Sequence, residues 1–136
     1  MVNELQVGEH VIGHDQPCFV IAEAGVNHNG DVGLAKRLVD EAVSAGVDAV
    51  KFQTFRTARL VTTGAEKAEY QRASGPAGET QFAMLQGLEL SADAHRELIA
   101  YCRQRNVLFL STPFEEESAD LLAELGVPAY KVGSGE

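Results

Sequence analysis

The stretch "AVKFQTF", residues 49–55, decides the fold. Ala49, Val50, Phe52 and Phe55 give a short, nearly continuous apolar run, the pattern of a strand covered on both faces, as in parallel sheets. Lys51 and Gln53 interrupt it two residues apart, so both point to the same face. A lone buried lysine is costly, because desolvation disfavours its charged form. A partner carboxylate removes that cost, and so does a bound phosphate or carboxylate.

The same grammar repeats on either side. Residues 19–25 (FVIAEAG) read as a strand, and residues 32–45 as a helix with Val32, Ala35, Leu38, Val39, Ala42 and Val43 on one face. Asp31 is suited to cap that helix and Gly46 to end it. After the stretch at 49–55, residues 80–88 predict a short helix burying Phe82, Leu85 and Leu88. Ser91 opens a longer helix that turns Leu98, Ile99 and Cys102 inward. Residues 107–113 (VLFLSTP) are the third strand and residues 115–125 the next helix. Residues 129–133 (AYKVG), beyond Pro128, are the fourth strand. Residues 5–12 suggest a small hairpin ahead of the series. Strands alternating with helices predict parallel pairing. Two α/β architectures fit: an open doubly wound sheet, or the first four units of a (βα)8 TIM barrel, which takes about 250 residues in full.

The chain has 136 residues, 45% hydrophobic and 23% charged, ordinary values for a globular domain. A net charge of −9 argues against nonspecific binding to nucleic acid or an anionic membrane. The first ten residues do not read as a signal peptide, and no apolar stretch is long enough to span a bilayer. Cys18 and Cys102 lie in apolar contexts without metal-like spacing and read as reduced, buried thiols in a cytoplasmic protein.

Polar residues gather where each strand ends. The first strand yields Glu23, then Asn27 and His28. The second yields Lys51 and Gln53, the third Ser111 and Thr112, and the fourth Lys131, Ser134 and Glu136. The C-terminal ends of parallel strands form one rim in a barrel and the crevice edge in an open sheet, the places where sites are built. Taken singly, each lysine fits a structural ion pair with Glu23 or Glu136. Taken as a set on one rim, they fit an anion site. A Schiff-base lysine is a third chemistry. Gly133, Ser134 and Gly135 offer backbone N–H groups to an anion. His10, His14 and His95 fall away from the rim and read as surface residues. Residues 56–78 lack periodicity and, following the second strand, suggest a lid carrying Lys67, Tyr70, Gln71 and Arg72.

Four segments in this order, IAEAGVNHNGD (21–31), DAVKFQTF (48–55), FLSTPF (109–114) and PAYKVGSGE (128–136), closely resemble the N-acetylneuraminate (sialic acid) synthase family, which includes the legionaminic and pseudaminic acid synthases. The resemblance implies a cytoplasmic, homodimeric enzyme with a (βα)8 barrel and a small antifreeze-like domain. It implies condensation of phosphoenolpyruvate with an N-acetylated amino sugar such as N-acetylmannosamine, aided by Mn²⁺ or Mg²⁺, with release of phosphate. Position by position, Lys51, Thr112, Lys131 and Ser134 match phosphoenolpyruvate-holding positions. Glu23 and Gln53 match positions near the sugar, with Glu23 as a proton carrier or a partner of metal-bound water. Glu136 matches an acidic residue suited to orienting water, and Asn27 belongs to the first motif as a substrate-binding candidate. The metal ligands of the family come from later strands, so no metal ligand is assigned here. On this reading the chain is the front part of a longer barrel and has little activity alone. Two rivals are a Schiff-base aldolase on the same barrel and a non-catalytic phosphate-binding half barrel.

Overall fold

The computed structural model describes residues 4–61, 76 and 78–135. A hairpin of β1 (Glu4–Val7) and β2 (His10–Gly13) precedes a three-stranded parallel sheet of β3 (Ile21–Gly25), β4 (Ala49–Thr54) and β5 (Leu108–Pro113), with β4 in the middle. Helix α1 (Val32–Ser44) links β3 to β4. Between β4 and β5 come α2 (Thr57–Leu60), α3 (Gln81–Gln86) and α4 (Ala92–Gln104), and α5 (Glu116–Glu124) follows β5. The expected alternation and parallel pairing are thus observed for three strands.

Local chemistry sets the helix starts. Side-chain oxygens of Asp31, Thr80, Ser91 and Glu115 accept N–H groups of the first turns of α1, α3, α4 and α5, satisfying donors that have no intrahelical partner. Each longer helix then lays an apolar stripe on one face of the sheet. Ala35, Val39 and Ala42 of α1 and Ala94, Leu98, Ile99 and Cys102 of α4 join Ala24, Val50, Phe52 and Phe109 in a single core. Phe52 and Phe109 stack with ring centroids 5.5 Å apart.

The period of two puts the remaining strand residues on the opposite face. Glu23 lies beside Lys51, Lys51 beside Leu110, and Gln53 beside Thr112. A register shift between Glu23 and Gly25 bulges β3 where it ends, a device that re-aims side chains at the rim of a sheet.

The fourth strand is not formed as expected. Residues 129–133 make a single parallel bridge, Tyr130 to Ser111, with the Lys131 N–H donating to the Ser111 carbonyl at 3.3 Å. Pro128 has no N–H to donate on one side, and the glycine-rich turn begins at Gly133 on the other. Lys131 is therefore exposed rather than buried in a strand. Phe82, Leu85 and Leu88 are half-buried rather than buried, because α3 packs on the short α2 rather than inside the core.

The loop after β3 is locked onto the end of α3. Gly30 has φ +75°, and a β-carbon there would lie 2.3 Å from the Gly87 carbonyl oxygen. Backbone cannot retreat as a flexible side chain can. Gly30→Ala is expected to cost at least about 2 kcal/mol, combining left-handed strain with the clash, read as a lower midpoint in urea unfolding with an unchanged slope. A variant as stable as the parent would show that this loop is not docked there.

Candidate functional site

Lys51 is the centre of the polar face. Its side chain is 10% exposed, and its Nζ stands 2.8 Å from Glu23 Oε2 and donates to Thr112 Oγ1 at 3.1 Å. The two partners differ. Thr112 is buried, whereas the Glu23 side chain is half-exposed. Glu23 is thus the counter-ion of a buried ammonium while much of its own side chain faces solvent.

Gly25 leaves room beside this pair. A β-carbon there would approach Glu23 Oε1 at 3.0 Å and Gln53 Nε2 at 3.5 Å, so the carboxylate and the Gln53 amide flank a space kept clear of side chain. The bridge that sets Tyr130 beside Ser111 carries Lys131 to the level of Thr112. Gln53, Thr112 and Lys131 then form a second row beyond Glu23 and Lys51. The Lys131 ammonium lies 3.4 Å from Ser134 Oγ, both exposed. Asn27 is exposed in the loop after β3. Glu136, Lys67, Tyr70, Gln71 and Arg72 lie outside the described residues. Five of the sequence-derived candidates, Glu23, Lys51, Gln53, Thr112 and Lys131, therefore belong to two adjoining rows, with Ser134 attached through Lys131.

Beneath this face, toward the helices, lies a buried polar chain that the sequence reading missed. His95, expected at the surface, is 1% exposed. Its Nδ1 is 2.8 Å from the Ser91 carbonyl and its Nε2 is 2.8 Å from Thr54 Oγ1, which is 2.7 Å from Ser111 Oγ. The signal was available: His95, Leu98, Ile99 and Cys102 repeat at helical spacing on the buried stripe of α4. His28 is fully buried against Phe52, and its Nδ1 accepts the Gly30 N–H at 2.9 Å. Cys18 is exposed, contrary to expectation, because it precedes β3 in irregular chain. Cys102 is buried, and burial pushes its thiol up to about 12, leaving it a packing group.

At the mouth of the loop after β4, Glu89 accepts from the Thr57 N–H and hydroxyl, each at 3.0 Å, and from Arg56 at 3.1 Å. Burial alone would raise its carboxyl, but these hydrogen bonds outweigh it and hold it below the usual range. His28 and His95 are both pushed down, first by burial. For His28 the second cause is the neighbouring His95; for His95 the Ser91 carbonyl opposes the shift and Arg56 adds to it.

The signs agree. An unfolded histidine takes up a proton as pH falls below about 6.5, while the folded ones stay neutral. Stability is full above that pH and falls as pH drops toward the folded values. Glu89 contributes above its unfolded value of about 4.5 and loses that contribution below it. Thermal melting is therefore expected to be flat from pH 8 to 7 and to decline from pH 6.5 downward. A midpoint that stays level to pH 5 would contradict the buried neutral histidines.

Among the described residues no helix is long and apolar enough to cross a membrane. Comparison with known proteins is consistent across sequence and structure. Residues 38–136 match the NeuB family. The chain is 51% identical over 118 residues to the N,N'-diacetyllegionaminic acid synthase of Campylobacter jejuni, covering 87% of this chain and 35% of that one. It is 51% identical over 124 residues to the enzyme of the same name from Legionella pneumophila, covering 91% and 35%. The N-acetylneuraminic acid (sialic acid) synthetase from Leptospira borgpetersenii, solved in complex with citrate, superposes with a TM-score of 0.76 at 32% identity, over 95% of this chain and 40% of that one. The chain thus spans about a third of the length of the curated relatives it matches.

Proposed function

This chain belongs to the NeuB family, and from that premise we propose that it supplies the phosphoenolpyruvate side of a nonulosonic acid synthase built on a (βα)8 barrel. The observation that carries the reading is the buried Lys51 ammonium, paired with a half-exposed Glu23 and a buried Thr112 hydroxyl, in line with a second lysine at the same sheet end. Phosphoenolpyruvate is small and multiply anionic. Two ammonium groups and two hydroxyls, from Lys51, Lys131, Thr112 and Ser134, suit its carboxylate and phosphate.

In the proposed reaction, C3 of phosphoenolpyruvate attacks the aldehyde carbon of an open-chain N-acetylated amino sugar. Positive charge develops at C2, and water adds there. The tetrahedral intermediate then expels phosphate by C–O cleavage. Lys51 and Lys131 hold the anionic groups throughout, an electrostatic contribution that is strongest in a water-poor site. Glu23, displaced from Lys51 by the incoming anion, becomes available as a proton carrier beside the sugar. Gln53 lines the space next to it and offers an amide to the sugar. The divalent metal remains part of the proposal. Among the described residues no group of three His, Cys, Asp or Glu side chains could hold one.

Phosphoenolpyruvate labelled with ¹⁸O in the C–O–P bridge tests the reaction in the full-length protein. C–O cleavage sends the label into released phosphate, together with a sugar acid three carbons longer than the acceptor. Label retained in the organic product would overturn the proposed chemistry. The Schiff-base alternative fares poorly with an ammonium already paired to a carboxylate. A borohydride-trapped adduct of a keto acid on Lys51 or Lys131 would revive it.

A further inference from the structure

We propose that His95 is a positioning residue for the anion site, acting through Thr54 and Ser111 on the end of β5 that carries Thr112. The inference rests on the functional reading above for its catalytic consequence, but its geometry stands independently.

The protons along the chain can be assigned. The Ser91 carbonyl only accepts, so His95 Nδ1 carries the hydrogen and donates to it at 2.8 Å. In the neutral ring Nε2 is then a bare acceptor, and the Thr54 hydroxyl 2.8 Å away must donate to it. Having given its proton, Thr54 Oγ1 can only accept along the chain, so the Ser111 hydroxyl donates to it at 2.7 Å. His95, Thr54 and Ser111 are each no more than 3% exposed. Water cannot replace a missing member cheaply, and every member is satisfied in one direction only.

The chain ends where the site begins. Ser111 accepts the Lys131 N–H on its carbonyl at 3.3 Å, the hydrogen bond that ties the second lysine to the sheet. Its neighbour Thr112 points to the other face and accepts from Lys51 Nζ at 3.1 Å. Two adjacent residues of β5 thus connect α4 to both lysines. The ring of His95 also stands edge-on to Phe109, 6.3 Å between centroids, so its position is fixed by packing as well as by hydrogen bonds. Burial and the nearby Arg56 oppose its protonation, while the Ser91 carbonyl works the other way. A neutral His95 is therefore maintained through physiological pH.

Nitrogen-15 spectra of the imidazoles in the full-length protein test the assignment without any substrate. We expect His95 to be neutral at pH 7, with hydrogen on Nδ1 and a bare Nε2. The other tautomer, or an imidazolium, would overturn the proposal. Positioning is tested with His95→Leu, which removes the acceptor, and His95→Gln, which retains one for Thr54. The Lys51 ammonium resonance should shift in His95→Leu and stay near its original position in His95→Gln. KM for phosphoenolpyruvate should rise about tenfold in His95→Leu with kcat within threefold, the signature of lost uniform binding, and His95→Gln should recover to within threefold. If His95→Leu does not fold, Thr54→Val breaks the chain in its middle and carries the same expectation. A Lys51 resonance and KM that ignore both substitutions would exclude a positioning role. Absence of condensation in the parent protein would defeat the functional reading alone, since both spectroscopic results stand without turnover.

Discussion

Lys51→Met is expected to lower kcat/KM for phosphoenolpyruvate by about 10²–10³-fold in the full-length protein while changing stability by no more than about 1 kcal/mol. The two halves of this expectation come from one asymmetry. If Lys51 existed to stabilise the fold, its removal would strand a buried counter-charge, which typically costs 3–5 kcal/mol. Glu23 is not stranded: its side chain is 54% exposed and can be solvated in place. Thr112 loses one hydrogen bond, and methionine fills much of the vacated volume. A large loss of stability would assign the lysine to architecture. A large loss of activity at constant stability assigns it to the ligand. The measurement is steady-state kinetics alongside urea unfolding of the same preparation.

Lys131→Ala should likewise reduce turnover by at least about 10²-fold with even less effect on the fold. Lys131 is exposed, and among the described residues its ammonium has a long hydrogen bond, to Ser134 Oγ. Its backbone N–H, which makes the bond to Ser111, survives in alanine. An exposed lysine contributes little to stability, so a strong effect of its removal on turnover is expected to come through what it binds. Full activity in Lys131→Ala would delete it from the site.

The parts of the fold that were legible in sequence are those fixed by local periodicity and caps. Lys51 and Gln53 share a face because they are two residues apart, and Glu23 joins them because the apolar residues around it force its strand into one register. The same alternation sent Phe52 and Phe109 to the helices. Residues 129–133 misled because an apolar run bounded by proline and glycine looks alike whether it pairs along its length or touches at one point. Only a neighbouring strand decides between the two, and pairing is not a local property. His95 misled for the opposite reason: its polarity suggested the surface, while its position on the α4 stripe placed it inside. The cost of burying it is met by Ser91 four residues back and by Thr54, 41 residues away, and the second of these is invisible without the fold. His28 offered still less. It lies in a turn with no period, and its burial depends on Phe52.

These cases share a physical pattern. Polar groups on the open face of the sheet could be found from the strand pattern, because chemistry there is set by alternation. Polar groups on the helix face are legible only as positions on a buried stripe, because their hydrogen-bond partners depend on elements brought together by packing.

The most direct test of a shared anion site is calorimetric titration of phosphoenolpyruvate into the full-length protein and its Lys51→Met and Lys131→Ala variants. Saturable binding to the parent, weakened at least about tenfold in each variant as expected for a lost charge-assisted hydrogen bond, is the anticipated result. Equal affinity in all three proteins would mean that the two lysines do not meet a common ligand.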